Sequence, residues 1–260
     1  MFCIKVIDKN EFAVAVGRDE DEINLTVTRE YQEGDRVLIE VSDGPVFAWL
    51  QLDDALGRSL VYLTGDYSYP IPFGEERINL SPKVFSGKTH LLTIRRARDF
   101  EVSAYRNIAF NVNDCHVNDV CYPHASANIE TRGEAVFAAK NAIDGVTANS
   151  CHGEWPYASW GINRDPKAAM KLDFGRDVTI DRIFMYLRAD FPHDSWWTKA
   201  SITFSDGSAM ELNLKKTASA QEFTFEPKTI RWMELSHLIK AEDASPFPAL
   251  TQIEVYGTEA

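Results

Sequence analysis

The sequence is poor in cysteine, which excludes several classes of small or metal-bound protein. It has only four cysteines among 260 residues, and none of them forms a CxxC pair. Cysteines this few and this scattered do not build a disulfide framework, a zinc site or a redox motif. Cys115 and Cys121 are close enough in the chain to pair across a loop, and the sequence leaves that pairing open.

Basic charge and long apolar runs are also scarce. There are 27 Lys and Arg against 39 Asp and Glu, a net charge of -12, and neither half of the chain is basic. This balance disfavours a nucleic-acid partner. No apolar run approaches the roughly 20 residues of a membrane span, and an acidic cluster at 19–22 interrupts the first apolar stretch before it reaches the length of a signal peptide. The sequence as it stands predicts a cytoplasmic protein, and an extracellular one if a leader precedes Met1.

The common catalytic motifs are missing as well. The sequence has no GxSxG nucleophile elbow, no P-loop, no Gly-rich dinucleotide turn and no HExxH. The sequence therefore predicts a protein that is not an enzyme.

Short β-branched runs dominate what is present. From Phe2 to about Tyr105 they recur every eight to twelve residues or so and are separated by turn formers, as in FCIKVI-DKN and RVLIEV-SDGP. The same pattern returns after Lys171, for example in VTIDRIFMYLR, where Ile183 and Leu187 fall on one face. This rhythm is typical of β-sandwiches and barrels. We therefore predict an all-β protein.

The pattern divides the chain into two β-sandwich domains. Residues 1–105 form the first domain, and the sequence assigns no role to it. Residues 106–132, rich in Asn, Asp, His and Cys and without periodicity, form a junction. Residues 133–260 form the second domain, which opens with a predicted short helix, EAVFAAKNAI, ended by Gly145.

Several motifs of the second half resemble, in order, landmarks of the discoidin (coagulation factor V/VIII type C) superfamily, which includes the family 32 carbohydrate-binding modules. The stretches that carry the resemblance are NAIDG, Trp160, KLDFGRDVTIDRI, ITFSDGS, TIRWMELS and ALTQIEVYG. The resemblance covers about Ala125 to Gly257. It implies a jelly-roll sandwich that is galactose-binding-like, with a ligand surface built from loops at one end. It also implies that Trp160 packs in the core.

The resemblance further implies a structural calcium ion. Its ligands would come from Asn141, Asp144, Val146, Asn149, Thr251 and Gln252. Asn149 stands at the position of a ligating Thr, and Gln252 stands at the position of a Glu. Calcium requires anionic oxygen ligands, and an amide in place of a carboxylate removes one negative charge. We therefore expect calcium to bind weakly, or amide hydrogen bonds to replace it.

Two loops combine the side chains that recognise sugars. An aromatic side chain can pack on the apolar face of a sugar ring, and charged side chains bind hydroxyls through strong hydrogen bonds. The first loop offers His152, Glu154 and Trp155. The second offers the remaining candidates, Arg188, Asp190, His193, Asp194, Trp196 and Trp197. Strand alternation would direct one of the two adjacent tryptophans inward, so at most one of that pair would contact a ligand.

These features leave three hypotheses for function. The first is a non-catalytic carbohydrate-binding protein. The second is a protein-interaction or assembly module without sugar affinity, which a contiguous exposed apolar patch would favour. The third is a glycan-active enzyme that uses a carboxylate pair such as Asp190 and Asp194, or Glu154 and Asp190.

Overall fold

The computed structural model describes all residues, 1–260, and the chain is built almost entirely of antiparallel strands. This confirms the predicted all-β sandwich class. The strands of the first half are β1 Phe2–Ile7, β2 Ala13–Asp19, β3 Glu22–Val27, β4 Arg36–Val41, β5 Val46–Gln51, β6 Ser59–Leu63, β7 Tyr67–Pro70 and β8 His90–Arg96. A single-turn helix, α1 Asp99–Val102, and a short strand, β9 Arg106–Asn107, follow.

The remaining strands come later in the chain. They are β10 Cys121–Tyr122, β11 His124–Ala127, β12 Trp160–Gly161, β13 Met170–Leu187, β14 Trp197–Phe204, β15 Ala209–Asn213, β16 Gln221–Lys240 and β17 Ala249–Glu259. Short 3-10 helices complete the chain at Gly74–Arg77, Thr131–Gly133, Ala135–Phe137 and Ala139–Ile143. No helix of the protein has the length and apolar character needed to cross a membrane.

The first half is a sandwich of two sheets around its own core. One sheet has the order β2-β1-β4-β7, and the other has the order β10-β6-β5-β8-β3. Their inner faces share a cluster of buried side chains that runs from Phe2 to Cys121. The alternation that predicted the strands is the cause, since every second residue of β4 and β5 points into this cluster.

The second half is organised by two long strands, β13 and β16. Alternation alone would divide each of them in two, into AMKLDFG and VTIDRIFMYLR in β13 and into EFTFEP and TIRWMELS in β16. Pairing of β13 with β16 shifts register between Asp173 and Val178. Gly175 lies in that interval with a φ of 69° and with the Tyr122 ring 2.4 Å from where a Cβ would stand. Only glycine fits this bend.

The bend divides the strands between two layers. The first part of β13 pairs with β11 and with the end of β16; β16 pairs onward with β14, and β14 pairs with β15. The second part of β13 pairs with β17. A second core fills the space between the two layers, and its buried side chains come from residues between Ile108 and Val255. Trp160 lies fully buried in it and its Nε1 donates to the carbonyl of Ile129 at 3.0 Å, which confirms its predicted core position.

The prediction of one continuous helix over EAVFAAKNAI is wrong. The segment makes two short 3-10 turns, separated by Ala138 in an extended conformation (φ -71°, ψ 147°). The Glu130 carboxylate accepts a hydrogen bond from the Ala139 amide at 2.8 Å, and the Ala135 carbonyl accepts one from the Asn141 side chain. These tertiary hydrogen bonds satisfy backbone groups that a continuous helix would have used itself.

The asparagine-rich segment after β9 connects the two cores through buried hydrogen bonds. The amide of Asn113 donates to the carbonyl of Leu50 at 2.9 Å, inside the first half. The carboxylate of the adjacent Asp114 accepts from His124 Nδ1 at 2.9 Å and from the Ala125 amide at 3.0 Å, in the second half. Burial of charge requires such partners. This segment therefore fixes one sandwich against the other.

Cys115 and Cys121 lie in the same buried segment, and both are free thiols. Burial raises the pKa of each thiol above its ordinary value, because the thiolate would lose its hydration.

Candidate functional site

The loops at one end of the second sandwich enclose a pocket of about 300 Å³. Its walls come from the 3-10 segments, from the end of β12, from the loop after β13 and from the loop before β17. The lining residues are Thr131, Arg132, Phe137, His152, Gly161, Ile162, Asn163, Arg164, Arg188, His193, Asp194, Phe247, Pro248 and Ala249. We call this the loop pocket.

Arg188 and Asp194 form the base of the loop pocket. Arg188 Nε donates to Asp194 Oδ2 at 2.5 Å, and Arg188 Nη2 donates to the other carboxylate oxygen. Nη2 also donates to the carbonyl of Phe247 at 3.1 Å. Both side chains are almost fully buried, at 5% and 2% exposure. Guanidinium carries five N–H donors, so the two on Nη1 remain for a molecule in the pocket.

Burial also affects the ionisation of Asp194 in this pair. It raises the pKa of Asp194, because a buried carboxylate loses hydration, and the guanidinium of Arg188 opposes that rise without cancelling it. The bidentate geometry holds both planes in one orientation. Arg188 is therefore presented to the pocket in a fixed position.

His152 forms the rim of the pocket. Its Nδ1 lies 2.5 Å from Asp190 Oδ2, and its side chain is 46% exposed. With Nδ1–H donated to the carboxylate, Nε2 is the ring nitrogen left for a ligand. Asp190 in turn is held by its own loop, since its carbonyl accepts from the amides of His193 and Asp194 at 2.8 and 3.0 Å. The two predicted loops thus meet at this rim.

Two aromatic rings complete the pocket. The Arg188 guanidinium lies 5.9 Å from the centroid of the Phe137 ring, and the Arg164 guanidinium lies 4.2 Å from that of Phe247. Phe247 is 36% exposed. The pocket therefore combines an apolar surface with charged hydrogen-bonding groups, the arrangement common in small-molecule sites.

Of the residues predicted from sequence, His152, Arg188, His193 and Asp194 line the loop pocket, and Asp190 supports it from behind. Trp197 was wrongly included, because it is fully buried in the core with its ring centroid 6.3 Å from that of Trp160. The alternation argument holds for this pair, since Trp196 is only partly buried. Trp196 nevertheless packs against the same core and does not line the pocket.

Glu154 and Trp155 belong to a different surface. They line a groove shared with the first half, together with Gly74, Arg77, Ile78, Leu80, Pro82 and Ser86. The backbone amide of Trp155 donates to the carbonyl of Ile78 at 2.8 Å, and the Trp155 ring is 42% exposed. The loop therefore turns Trp155 toward the first sandwich and away from His152.

Three lining residues had weaker sequence signals. Phe247 stands between two prolines in a polar loop, and proline restricts the backbone on both sides of it. Phe137 lies in the segment assigned to a helix. Arg164 is in a short turn whose role emerges only from the fold.

The residues expected to bind calcium fit that ion poorly. Gln252 Oε1 accepts a hydrogen bond from the Gly145 amide at 3.2 Å, and its Nε2 is buried with no partner. The Gln252 amide offers one neutral oxygen and one donor, where a glutamate would offer two anionic oxygens. Asn149 also uses its amide nitrogen on the carbonyls of Leu187 and Ala218, at 3.1 and 2.9 Å. Amide hydrogen bonds therefore connect these loops.

Asp144 is the only carboxylate of that set. Its Oδ1 accepts from the Val146 amide at 2.8 Å, and burial raises its pKa to about 7. The backbone of Asn141 and Thr251 supplies only neutral carbonyl oxygens. Gly145, with a φ of 84°, has the Phe110 ring 2.6 Å from where a Cβ would stand, which keeps this turn close to the junction segment. One carboxylate offers little charge to offset calcium dehydration.

Two other clusters bring metal-ligand atoms within 4.8 Å of one another. They are Asp53, Asp54 and His90 in the first half, and His152, Asp190 and Asp194 at the loop pocket. At the pocket both oxygens of Asp194 are already engaged by Arg188. A cation there would lie beside a guanidinium, which opposes metal binding.

The fold and pocket define an all-β protein with a loop-built pocket at one end of its second sandwich. The family model described as a domain of unknown function (DUF7402) matches residues 120–256, more than half of the chain, and the chain belongs to that family. No curated protein sequence matches the chain.

Solved structures that are similar to part of the chain include three binding modules. A chitosan-binding module of a chitosanase/glucanase from Paenibacillus sp. IK-5 is 19% identical, covers 58% of this chain and 98% of its own, and has a TM-score of 0.41. A Streptococcus pneumoniae fucose-binding module is 13% identical, with coverage of 59% and 98% and a TM-score of 0.43. The family 32 module of C. perfringens NanJ, solved with galactose, is 20% identical, with coverage of 51% and 91% and a TM-score of 0.37.

Proposed function

We propose that the chain is a non-catalytic glycan-binding protein and that its ligand occupies the loop pocket. The observation that carries the proposal is the pocket itself. It brings His152, His193 and Arg188 from two separated loops onto one small cavity beside Phe247. The resemblance of the second half to the discoidin superfamily and its family 32 modules supports the same assignment.

The pocket chemistry suits a sugar ring. A volume of about 300 Å³ is at the lower end of the range for small-molecule sites, so it suits one ring better than a long chain. Arg188 Nη1 can donate to two neighbouring hydroxyls, and His152 Nε2 can accept from or donate to a third. Phe247 offers an exposed apolar face. Charge-assisted hydrogen bonds of this kind offset the desolvation of hydroxyl groups.

The enzyme hypothesis gains little from the carboxylates. Asp194 is engaged by Arg188 through both oxygens, and Asp190 is engaged by His152. Glu154 lines the groove beside the first half and not the loop pocket. A carboxylate pair that cleaves a glycosidic bond must face one cleft from both sides. Binding without catalysis therefore accounts better for these positions.

A glycan array tests the proposal. We expect the purified protein to bind a restricted class of glycans, with binding unchanged by chelation of calcium. His152→Ala should reduce that signal, and the matched control His116→Ala, a histidine outside the pocket, should not. A blank array for the folded wild-type protein would refute glycan binding. Equal signals for both variants would place the ligand elsewhere.

A second candidate is assembly through an edge strand. Strand β2 lies at the edge of its sheet and exposes Phe12 just before it, with Val14 and Val16 along it. Exposed apolar edges invite pairing with another chain. If this is the function, the sedimentation coefficient of the protein should rise with concentration, and Val16→Lys should abolish the rise. A monomer at all concentrations would exclude self-assembly through β2.

A further inference from the structure

The loop pocket carries more basic than acidic side chains, although the protein as a whole is acidic. The whole chain carries a net charge of -12, yet the pocket is lined by three arginines and a single aspartate. Two of these arginines are neutralised by close partners. Arg188 is paired with Asp194, and Arg132 is paired with Glu134 at the rim. The third, Arg164, has no carboxylate within ion-pair distance.

Arg164 is held in position although it has no ionic partner. Its guanidinium lies 4.2 Å from the centroid of the Phe247 ring, a cation–π contact that orients the planar group. Asn163 and Arg164 have φ values of 49° and 61°, a left-handed conformation that is unfavourable for residues other than glycine. The Thr131 hydroxyl accepts from the Asn163 amide at 2.9 Å and helps to hold this turn. Strain of this kind is concentrated at functional sites.

We propose that the loop pocket selects glycans that carry a carboxylate group, and that Arg164 provides the charge that recognises it. The inference rests on the proposed glycan-binding function and specifies its ligand class. A guanidinium and a carboxylate are both planar and form two parallel hydrogen bonds. An anionic ligand would also neutralise the one unpaired cation of the lining. Hydroxyls of the same sugar remain for Arg188 and His152.

Matched sugars test the proposal, because a uronic acid differs from its parent hexose only at C6. Affinities are measured by isothermal titration at low ionic strength for galacturonic acid against galactose and glucuronic acid against glucose. We expect at least one acid to bind about tenfold more tightly than its neutral partner. The preference should shrink as salt is added, because the interaction is partly exposed.

Two arginine variants locate the effect. Arg164→Gln should bring the acid and its neutral partner to within about twofold of each other. The control Arg58→Gln, an exposed arginine of the first half that does not line the loop pocket, should keep the preference. A preference that survives Arg164→Gln would overturn the assignment.

The remaining outcomes separate this inference from the proposed function. Binding of neutral sugars as tight as that of their acids would refute carboxylate selection and leave glycan binding intact. Failure of all four sugars, and of every acidic and neutral glycan on an array, would refute both. Galactose-6-sulfate bound as tightly as galacturonic acid would show recognition of charge alone and would overturn the carboxylate assignment.

Discussion

Replacing Arg188 with methionine leaves the Asp194 carboxylate buried without its cation. The Asp194 side chain is only 2% exposed, so water cannot substitute for the two hydrogen bonds that it loses. Breaking a buried ion pair in this way costs about 3–5 kcal/mol. At roughly 2–4 °C per kcal/mol for a protein of this size, the melting temperature of Arg188→Met should fall by about 10 °C.

The double variant Arg188→Met/Asp194→Leu separates stability from binding. It removes both charges and keeps the buried volume similar, so it should recover most of the lost stability. It should still fail to bind glycan, because the Nη1 donors are gone. Urea unfolding followed by tryptophan fluorescence measures both proteins, since five of the six tryptophans lie in the second half.

Two results would refute this reasoning about the pair. One is a loss below about 1 kcal/mol in Arg188→Met, because a pair this deeply buried should cost more. The other is a double variant no more stable than the single one, which would show that Arg188 stabilises the fold through its packing and not by compensating the Asp194 charge.

Three further predictions concern the rest of the second half. Trp160→Phe should destabilise the protein by about 1 kcal/mol more than Trp197→Phe, because both rings are fully buried but only Trp160 Nε1 has a hydrogen-bond partner; equal losses in urea unfolding would contradict this. Millimolar calcium should leave the wild-type melting temperature almost unchanged and raise that of Gln252→Glu, which adds a carboxylate; a large wild-type shift reversed by chelator would show that the wild-type site works. Burial lowers the pKa of His124, but the hydrogen bond and charge of Asp114 outweigh it and raise the net pKa above 6.5. Its stabilisation is therefore complete below pH 6.5 and is lost as the pH rises through the folded pKa; His124→Gln should flatten the stability profile over that window, and an unchanged profile would contradict this.

The strands were predictable because alternation is a local signal. The buried faces of β4 and β5, and of β13 from Ile183 to Leu187, follow from every second residue, as the sequence predicts. The bend at Gly175 was not predictable from alternation, which would divide β13 into two short strands at that point. The helix over EAVFAAKNAI failed for a related reason, since Glu130 lies outside the periodic segment and binds the Ala139 amide within it.

The site was predictable only in part. The composition of two loops selected His152, Arg188, Asp190 and Asp194, and the fold brings these residues together. The position of Trp155 depends on the first sandwich, which no sequence motif assigned. Phe247 and Arg164 required knowledge of which loops share one end of the sandwich.

The most direct test of the central claim compares two exposed phenylalanines. The glycan that gives the strongest array signal is titrated calorimetrically into the wild-type protein, Phe247→Ala and Phe100→Ala. Phe247 lines the loop pocket, whereas Phe100 is 67% exposed on α1 and lies outside it. If the ligand occupies the loop pocket, Phe247→Ala should weaken binding about tenfold, roughly 1.4 kcal/mol, and Phe100→Ala should match the wild type. Unchanged affinity in Phe247→Ala would contradict the account.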